Sequence, residues 1–177
     1  MSYIIGIDGR CGAGKSTFGE ALCSLMQGKA ALVHMDDFYL PPGLRVKERF
    51  EEPGGNVHYE RFLEEVLAPY RREGRFVLRR YRFHELRFLK AEELAPEILI
   101  VEGSYAFHPT LVQFYDYKFF LDIDPQTQLA RIEKRNGPEG LKGFVERWIP
   151  LEEAYFSACD VQKQADLVLR LGQEERN

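Results

Sequence analysis

Short apolar segments alternate with segments of helical periodicity along most of the chain. They are apolar at successive positions, as in YIIGI at residues 3–7 and ILIV at residues 98–101. Successive apolar positions are typical of strands buried on both faces, which occur in parallel sheets covered by helices. Strands are predicted at residues 3–7, 30–34, 97–101, 118–123 and 166–170. Their alternation with helices predicts an α/β domain with a parallel sheet.

The helices between these strands are predicted from apolar spacing and end signals. They are expected at residues 15–26, 59–72, 125–136 and 144–158. Pro125 after Asp124 is typical of a first-turn proline behind an N-cap residue. Pro150 lies inside the last pattern and is expected to break or kink that helix.

Residues 41–90 fit the alternation least well. They contain the loop-forming segments PPG at residues 41–43 and PGG at residues 53–55, and a strand or hairpin is predicted around Phe76–Phe83. We therefore predict a single domain over residues 1–177, with a small substrate-binding insertion at about 41–90.

A glycine-rich loop joins the first strand to the first helix. Its sequence, Gly9-x-x-x-x-Gly14-Lys15-Ser16, matches every fixed position of the Walker A pattern in its required strand–loop–helix context. Such a loop points its N–H groups at phosphates, Lys15 reaches the β- and γ-phosphates, and the Ser16 hydroxyl binds Mg²⁺. The sequence therefore predicts binding of ATP and Mg²⁺. The predicted nucleotide-binding residues are Gly9, Arg10, Cys11, Gly12, Ala13, Gly14, Lys15, Ser16 and Thr17.

Cys11 within this loop has two interpretations. A helix N-terminus lowers the pKa of a thiol, which would make Cys11 sensitive to oxidation. The alternative is a small side chain that the loop tolerates.

Three carboxylates follow the ends of predicted strands. Asp36 and Asp37 lie just past residues 30–34, and Glu102 lies just past residues 97–101. Ligands of open α/β sheets bind beyond the carboxyl ends of the strands, so these side chains are expected in the same crevice as the loop. Asp36 is the predicted base for an attacking hydroxyl, shared with metal binding, and Glu102 is a predicted metal-site residue. The alternative is that Asp36 and Asp37 cap a turn.

Arg131 and Arg135 lie four residues apart on the helix predicted at 125–136, so they share a face. Residues 136–143 follow as a flexible segment that we predict to be a lid. Arginines there would neutralise charge on the transferred phosphoryl group when the lid closes. The alternative is a solvated basic face.

Residues 71–90 carry eight basic residues against Glu73 and Glu85, with aromatic residues between them. This composition fits a nucleic-acid surface, a site for an anionic substrate, or an ordinary solvated hairpin. A net charge of −4 over 177 residues, from 24 Lys and Arg against 28 Asp and Glu, favours the last two.

Composition limits the classes of site and the environment that we expect for this protein. Three scattered cysteines predict neither a disulfide framework nor a zinc site, and no apolar run approaches the length of a membrane span. We expect a soluble cytoplasmic protein with a small-molecule substrate and no nucleic-acid or membrane partner, and homo-oligomerisation remains open. His58, His84 and His108 lack metal-ligand spacing and are expected to be structural.

An ordered set of motifs resembles the uridine kinase family, within the wider group of phosphoribulokinase and bacterial pantothenate kinase. These motifs are the Walker loop, DDFY at residues 36–39, VEG at 101–103, FFLD at 119–122, the Arg131/Arg135 helix and ADLV at 165–168. The resemblance runs nearly end to end. It implies a P-loop NTPase fold with a five-stranded parallel sheet in the order 2-3-1-4-5 and helices on both faces.

The resemblance also implies ATP-dependent phosphorylation of a hydroxyl, most simply the ribose 5′-hydroxyl of uridine or cytidine. In this family's pattern Phe50 would pack on the base or sugar, and Glu51 would bind ribose hydroxyls. Tyr39, Tyr81 and Glu102 would also contact the substrate. Lys15, Asp36, Arg131 and Arg135 would be the catalytic residues.

Three features depart from the family's pattern. The hairpin Tyr-Asp pair is Tyr81-Arg82, the segment after Pro53 does not end in Asp, and the lid segment lacks extra arginines. Two alternatives therefore stay open. One is a kinase of another hydroxylated metabolite such as pantothenate or a sugar phosphate, served by Arg79, Arg80 and Arg82. The other is a P-loop switch or a nucleic-acid-coupled NTPase.

Overall fold

The computed structural model describes residues 2–171, and nine strands follow one another along this part of the chain. They are β1 (Tyr3–Gly9), β2 (Ala30–His34), β3 (Phe76–Leu78), β4 (Tyr81–Arg82), β5 (Arg87–Phe88), β6 (Glu92–Leu94), β7 (Ile98–Glu102), β8 (Tyr117–Ile123) and β9 (Leu167–Leu171).

Five of these strands form the central sheet. Their order is β2-β7-β1-β8-β9, and every neighbouring pair is parallel. Counted along the chain, this order is 2-3-1-4-5, which confirms the fold predicted from the resemblance. Because the strands are parallel, the carboxyl ends of β1, β2 and β7 lie at one edge of the sheet. The register there places His34 beside Glu102.

The helices surround this sheet. They are α1 (Lys15–Leu25), α2 (Lys47–Glu51), α3 (Tyr59–Phe62), α4 (Ala68–Glu73), α5 (Pro125–Gly143) and α6 (Ile149–Ala158), with 3₁₀ turns at Met35–Phe38, Pro42–Leu44, Val112–Phe114 and Val161–Gln164. All four predicted helices are present in the structure.

Two π-helical turns keep long helical paths continuous. One, at Leu63–Leu67, joins α3 to α4, and the other, at Phe144–Trp148, joins α5 to α6. Each precedes a proline, Pro69 or Pro150, in the first turn of the next helix. A proline cannot donate to the carbonyl four residues earlier, and the wider π turn absorbs that loss. The break or kink predicted at Pro150 is therefore a π turn, and the helical path continues.

Helix α5 begins as predicted and extends further. The Asp124 carboxylate accepts a hydrogen bond from the Thr127 N–H at 2.9 Å and caps the helix. Residues 136–143, predicted to be flexible, are helical except at Gly137, whose φ of 72° and ψ of 175° interrupt the path before Pro138. The predicted lid is thus a helical arm with one break, because the Gly-Pro pair ends one helical run and starts the next.

The insertion ends in a hairpin made of two short antiparallel strand pairs. Strand β3 pairs antiparallel with β6, and β4 pairs with β5, so the hairpin reaches residue 94 rather than the predicted 83. Most of its arginines have carboxylate partners: Arg79 pairs with Glu65, and Arg80 pairs with Asp37 and Glu92. This pairing favours the interpretation of the basic stretch as a solvated hairpin. Arg79 and Arg80 are already paired with carboxylates of the protein.

The core lies on both faces of the sheet. In β1, Ile4 belongs to one buried cluster, while Ile5 and Ile7 belong to the cluster on the opposite face. Successive residues are therefore buried, as the apolar pattern predicted. No helix within residues 2–171 has both the length and the apolar character needed to cross a bilayer.

Candidate active site

The glycine-rich loop wraps around the amine of Lys15. The Lys15 ammonium donates to the carbonyls of Gly9 at 2.6 Å and Arg10 at 3.0 Å, and the side chain is 8% exposed. Gly9 has a φ of 139°, and a Cβ there would overlap the Leu121 backbone. The first glycine is therefore required by the close approach of β8, and the loop holds the lysine at its centre.

A hydroxyl and a carboxylate face each other beside the loop. The Ser16 hydroxyl donates to Glu102 Oε1 at 3.1 Å, and His34 Nδ1 makes a short contact to the same oxygen. That hydrogen bond, more than the charges nearby, raises the pKa of His34. No motif in the sequence marks His34 as a site residue. Its position is the available signal, because His34 occupies the strand end directly beside Glu102 in the sheet.

The 3₁₀ turn after β2 places the two aspartates in different surroundings. Asp36 faces the cavity and accepts a hydrogen bond from the Tyr39 hydroxyl. Desolvation, together with the Glu102 charge, raises the pKa of Asp36. Asp37 points away, is 9% exposed and pairs with Arg80 at 3.3 Å. Asp37 thus anchors the hairpin rather than capping the turn.

The two predicted arginines of α5 border the same space. Arg131 donates to the Gly12 carbonyl at 3.2 Å, and Arg135 donates to Asn136 at 2.8 Å with its guanidinium 5.6 Å from the Phe144 ring centroid. Neither has a carboxylate partner among the described residues. Both cations are therefore free to meet an anion in the cavity.

These groups enclose one cavity of about 390 Å³. Its lining consists of Cys11, Gly12, Gly14, Lys15, Ser16, Thr17, Asp36, Tyr39, Glu102, Gly103, Ser104, Arg131, Arg135 and Phe144. The cavity thus contains most of the residues that were predicted from the sequence to form the site. Arg10 is an exception, since its side chain turns away to pair with Asp122 and Glu153.

Helix α6 contacts the phosphate loop, an arrangement that was not predicted from the sequence. Glu152, 2% exposed, accepts hydrogen bonds from the Cys11 N–H at 3.0 Å and from the Ser104 hydroxyl at 2.8 Å. Tyr155 donates to Asp8 at 2.8 Å at the end of β1. No local motif marks these residues, because the pairing depends on where α6 docks.

The Cys11 thiol is held protonated in this setting. Burial, with the nearby Glu152 charge, raises the pKa of Cys11 to about 12. A thiol with a raised pKa is a poor nucleophile. The structure therefore favours the interpretation of Cys11 as a small tolerated side chain.

Asp8 gives the fold a pH dependence that can be measured. Burial raises its pKa from 3.8 to about 6. Between these values the folded state binds more protons than the unfolded state, so stability contributed by Asp8 falls as pH rises from about 4 to 6. The shift corresponds to roughly 3 kcal/mol.

The test compares the unfolding free energies of wild type and Asp8→Asn at several pH values between 4 and 7. The advantage of the wild type over the variant is expected to shrink by roughly that amount as pH rises. Parallel pH profiles for the two proteins would contradict the assignment.

A second, smaller pocket of about 200 Å³ adjoins the cavity through Tyr39, which lines both. Its other lining residues are Leu40, Arg45, Phe50, Asn56, Phe83, Arg147 and Trp148. Two residues predicted to contact substrate are not brought here. Glu51 is exposed and pairs with Lys47 at 3.1 Å, and Tyr81 is buried against Phe88. Their predicted contacts remain predictions.

The remaining histidines have structural surroundings. His108 stacks on Tyr59 with ring centroids 3.8 Å apart, and burial lowers its pKa to about 4. His84 is exposed at the hairpin tip, and burial lowers the pKa of His58. None of the three lines either cavity.

Comparison with known proteins agrees with this geometry. The sequence profile of the Phosphoribulokinase / Uridine kinase family matches residues 4–169. The chain belongs to this family. A uridine kinase of Bacillus thuringiensis (strain Al Hakam) is 27% identical over 146 residues, covering 75% of this chain and 66% of the relative.

Another relative and a solved structure are also similar to this chain. A chloroplastic phosphoribulokinase of Mesembryanthemum crystallinum is 27% identical over 202 residues, covering 97% of this chain and 49% of the relative. The chain thus spans about half of one of these family members and about two thirds of the other. The solved structure of a possible uridine kinase from Bacillus stearothermophilus has the same fold, with a TM-score of 0.73 at 18% identity, covering 95% of this chain and 88% of that one.

The donor set in this family member suits Mg²⁺. Ser16, Asp36 and Glu102 offer only oxygen atoms around one cavity, and the Asp36 and Glu102 charges repel each other without a cation between them. Mg²⁺ prefers oxygen ligands and is held by one or two carboxylates together with substrate phosphates. Within residues 2–171 no three His, Cys, Asp or Glu side chains converge as a metal cluster, so the phosphates would complete the coordination.

Proposed function

We propose that the protein transfers the γ-phosphoryl group of ATP to a hydroxyl of a small molecule. One observation carries this proposal: Lys15, Arg131 and Arg135 surround the same cavity as Asp36 and Glu102. Phosphoryl transfer needs cations around the moving group and a carboxylate beside the attacking hydroxyl. Family membership supports the same reaction.

In the proposed reaction Asp36 orients the acceptor hydroxyl and takes its proton. A bond forms between the hydroxyl oxygen and the γ-phosphorus, the bond from that phosphorus to the β–γ bridging oxygen breaks, and ADP leaves. Lys15, Arg131 and Arg135 stabilise the charge that builds on the phosphoryl oxygens. Ser16, Asp36 and Glu102 would hold Mg²⁺, which when bound would neutralise part of the phosphate charge.

The acceptor is a separate question, because the residues that would bind it lie in the adjoining pocket. The resemblance suggests the ribose 5′-hydroxyl of uridine or cytidine, and the relatives named uridine kinase support that acceptor at 27% identity. A hydroxylated anionic metabolite is the second candidate. Its support is that, within residues 2–171, no Asp or Glu lines the adjoining pocket, whereas Arg45 and Arg147 do.

The reaction is tested by following ADP formation from ATP–Mg²⁺ with and without each candidate acceptor. Acceptor-dependent ADP release, with a phosphorylated product identified by mass spectrometry, is expected. ADP release that needs DNA or RNA instead, and that falls steeply with salt, would contradict the proposal and indicate a nucleic-acid-coupled NTPase.

Arg135 is expected to act on the transition state more than on bound ATP. Its guanidinium borders the cavity and has no carboxylate partner among residues 2–171. Arg135→Ala should therefore lower kcat about 10²-fold while changing the KM for ATP little. Lys134→Ala is the matched control, because Lys134 is exposed on the same helix and does not line the cavity. A raised KM with normal kcat in the Arg135 variant would make this residue a ground-state contact.

A further inference from the structure

The adjoining pocket presents a hydrogen-bond donor without an acceptor. Arg45 and Asn56 both line the pocket, and the buried Arg45 Nη2 has no hydrogen-bond partner among residues 2–171. Asn56 is only 5% exposed. A buried donor without a partner is unfavourable, so an acceptor that reaches the Arg45 guanidinium recovers part of that cost.

The charged residues that line the pocket within residues 2–171 are both arginines. Arg45 and Arg147 have no carboxylate partner among residues 2–171, and no Asp or Glu lines the pocket. Glu51, the carboxylate predicted to bind ribose hydroxyls, pairs with Lys47 outside it. A neutral polyol is recognised best by acceptors as well as donors, whereas an anion needs only donors.

The aromatic walls hold the arginines in place. The Arg45 guanidinium lies 4.3 Å from the Phe83 ring centroid, and that of Arg147 lies 4.8 Å from both Phe50 and Trp148. A guanidinium stacked on a ring keeps the N–H groups of its edge available for a carboxylate or phosphate. The face of Phe50 is thus already occupied by Arg147, which leaves less of it for a nucleobase.

The pocket is continuous with the reacting groups. Tyr39 lines both spaces, and its hydroxyl hydrogen-bonds Asp36. A molecule held by one end at the arginines can therefore extend its other end past Tyr39 toward Asp36.

We propose that the phosphoryl acceptor carries a carboxylate or phosphate group, which Arg45 and Arg147 bind in this pocket while its hydroxyl faces Asp36. The inference rests on the proposed phosphotransfer and narrows the acceptor to anionic hydroxylated molecules. It departs from the neutral nucleoside that the resemblance suggests, and it uses different arginines from those the sequence analysis assigned to an anionic substrate.

Trp148 gives a direct binding signal, because it is the single tryptophan of the chain and lines the pocket. With ADP–Mg²⁺ present to prevent turnover, its fluorescence is titrated with pantothenate and glycerate as carboxylates, ribulose 5-phosphate as a phosphate, and uridine and cytidine as neutral probes. The first three are compared to decide which anionic group the pocket prefers. At least one is expected to bind at micromolar to millimolar concentration, and more tightly than either nucleoside.

The variants Arg45→Gln and Arg147→Gln identify the site. Each is expected to weaken binding of the anionic probe roughly 10- to 100-fold, as lost hydrogen bonds to a charged group do. Arg87→Gln serves as the control, since Arg87 is exposed on the hairpin and outside the pocket. It should bind like the wild type.

Failure of this inference and failure of the proposed reaction give different results. Tight nucleoside binding that neither Arg45→Gln nor Arg147→Gln changes, or no binding of any anionic probe at millimolar concentration, overturns the inference and leaves phosphotransfer standing. Arginine-dependent binding of an anionic probe without phosphorylation of any acceptor supports this pocket assignment and contradicts the proposed reaction instead.

Discussion

Lys15→Ala is expected to reduce phosphoryl transfer about 10²- to 10³-fold. The Lys15 ammonium lies at the centre of the loop, 2.6 Å from the Gly9 carbonyl, and it is the cation best placed to follow the γ-phosphoryl group. Its positive charge stabilises the transition state more than the ground state, so kcat should fall further than ATP affinity.

Two controls separate this effect from loss of structure. Lys29→Ala removes an exposed lysine that pairs with Glu97, and it should keep full activity. Thermal unfolding of Lys15→Ala should show a cooperative transition, because the lost hydrogen bonds join one side chain to two loop carbonyls. Near-normal turnover in a folded Lys15→Ala protein would refute the phosphotransferase assignment.

The parts of the structure that the sequence predicted depend on short stretches of chain. Strands buried on both faces need successive apolar residues, and the phosphate loop needs its glycines and lysine at fixed spacing. The Asp124–Pro125 cap is equally local. The order of the sheet strands came from the resemblance rather than from the pattern, since strand order is a property of the whole fold.

The parts that the sequence did not predict depend on docking between distant segments. Glu152 on α6 accepts a hydrogen bond from Cys11, which lies 141 residues away in the sequence, so the contact depends on where α6 docks. The contact of Arg147 with Phe50 likewise joins distant segments. The outward position of Glu51, where it pairs with Lys47, is set by α2 and is not revealed by any pattern in five residues.

Asp36 has the environment of a general base. Its carboxylate faces the cavity that holds Lys15, and desolvation with the Glu102 charge raises its pKa. A raised pKa makes a carboxylate a stronger proton acceptor. The Tyr39 hydroxyl hydrogen-bonds this carboxylate, and Tyr39 also lines the adjoining pocket, where we propose that the acceptor binds.

Asp36→Asn should therefore lower kcat by about 10²- to 10⁴-fold, the usual range for loss of a general base, with ATP still bound. The lower end is more in keeping with a loose phosphoryl transfer that leans on positioning. Asp37→Asn is the matched control: its carboxylate pairs with Arg80, so that variant should lose stability while keeping most of its kcat. Steady-state kinetics and unfolding of both variants decide the assignment. A large kcat loss in Asp37→Asn with normal turnover in Asp36→Asn would exchange their roles, and normal turnover in both would place the base on another residue.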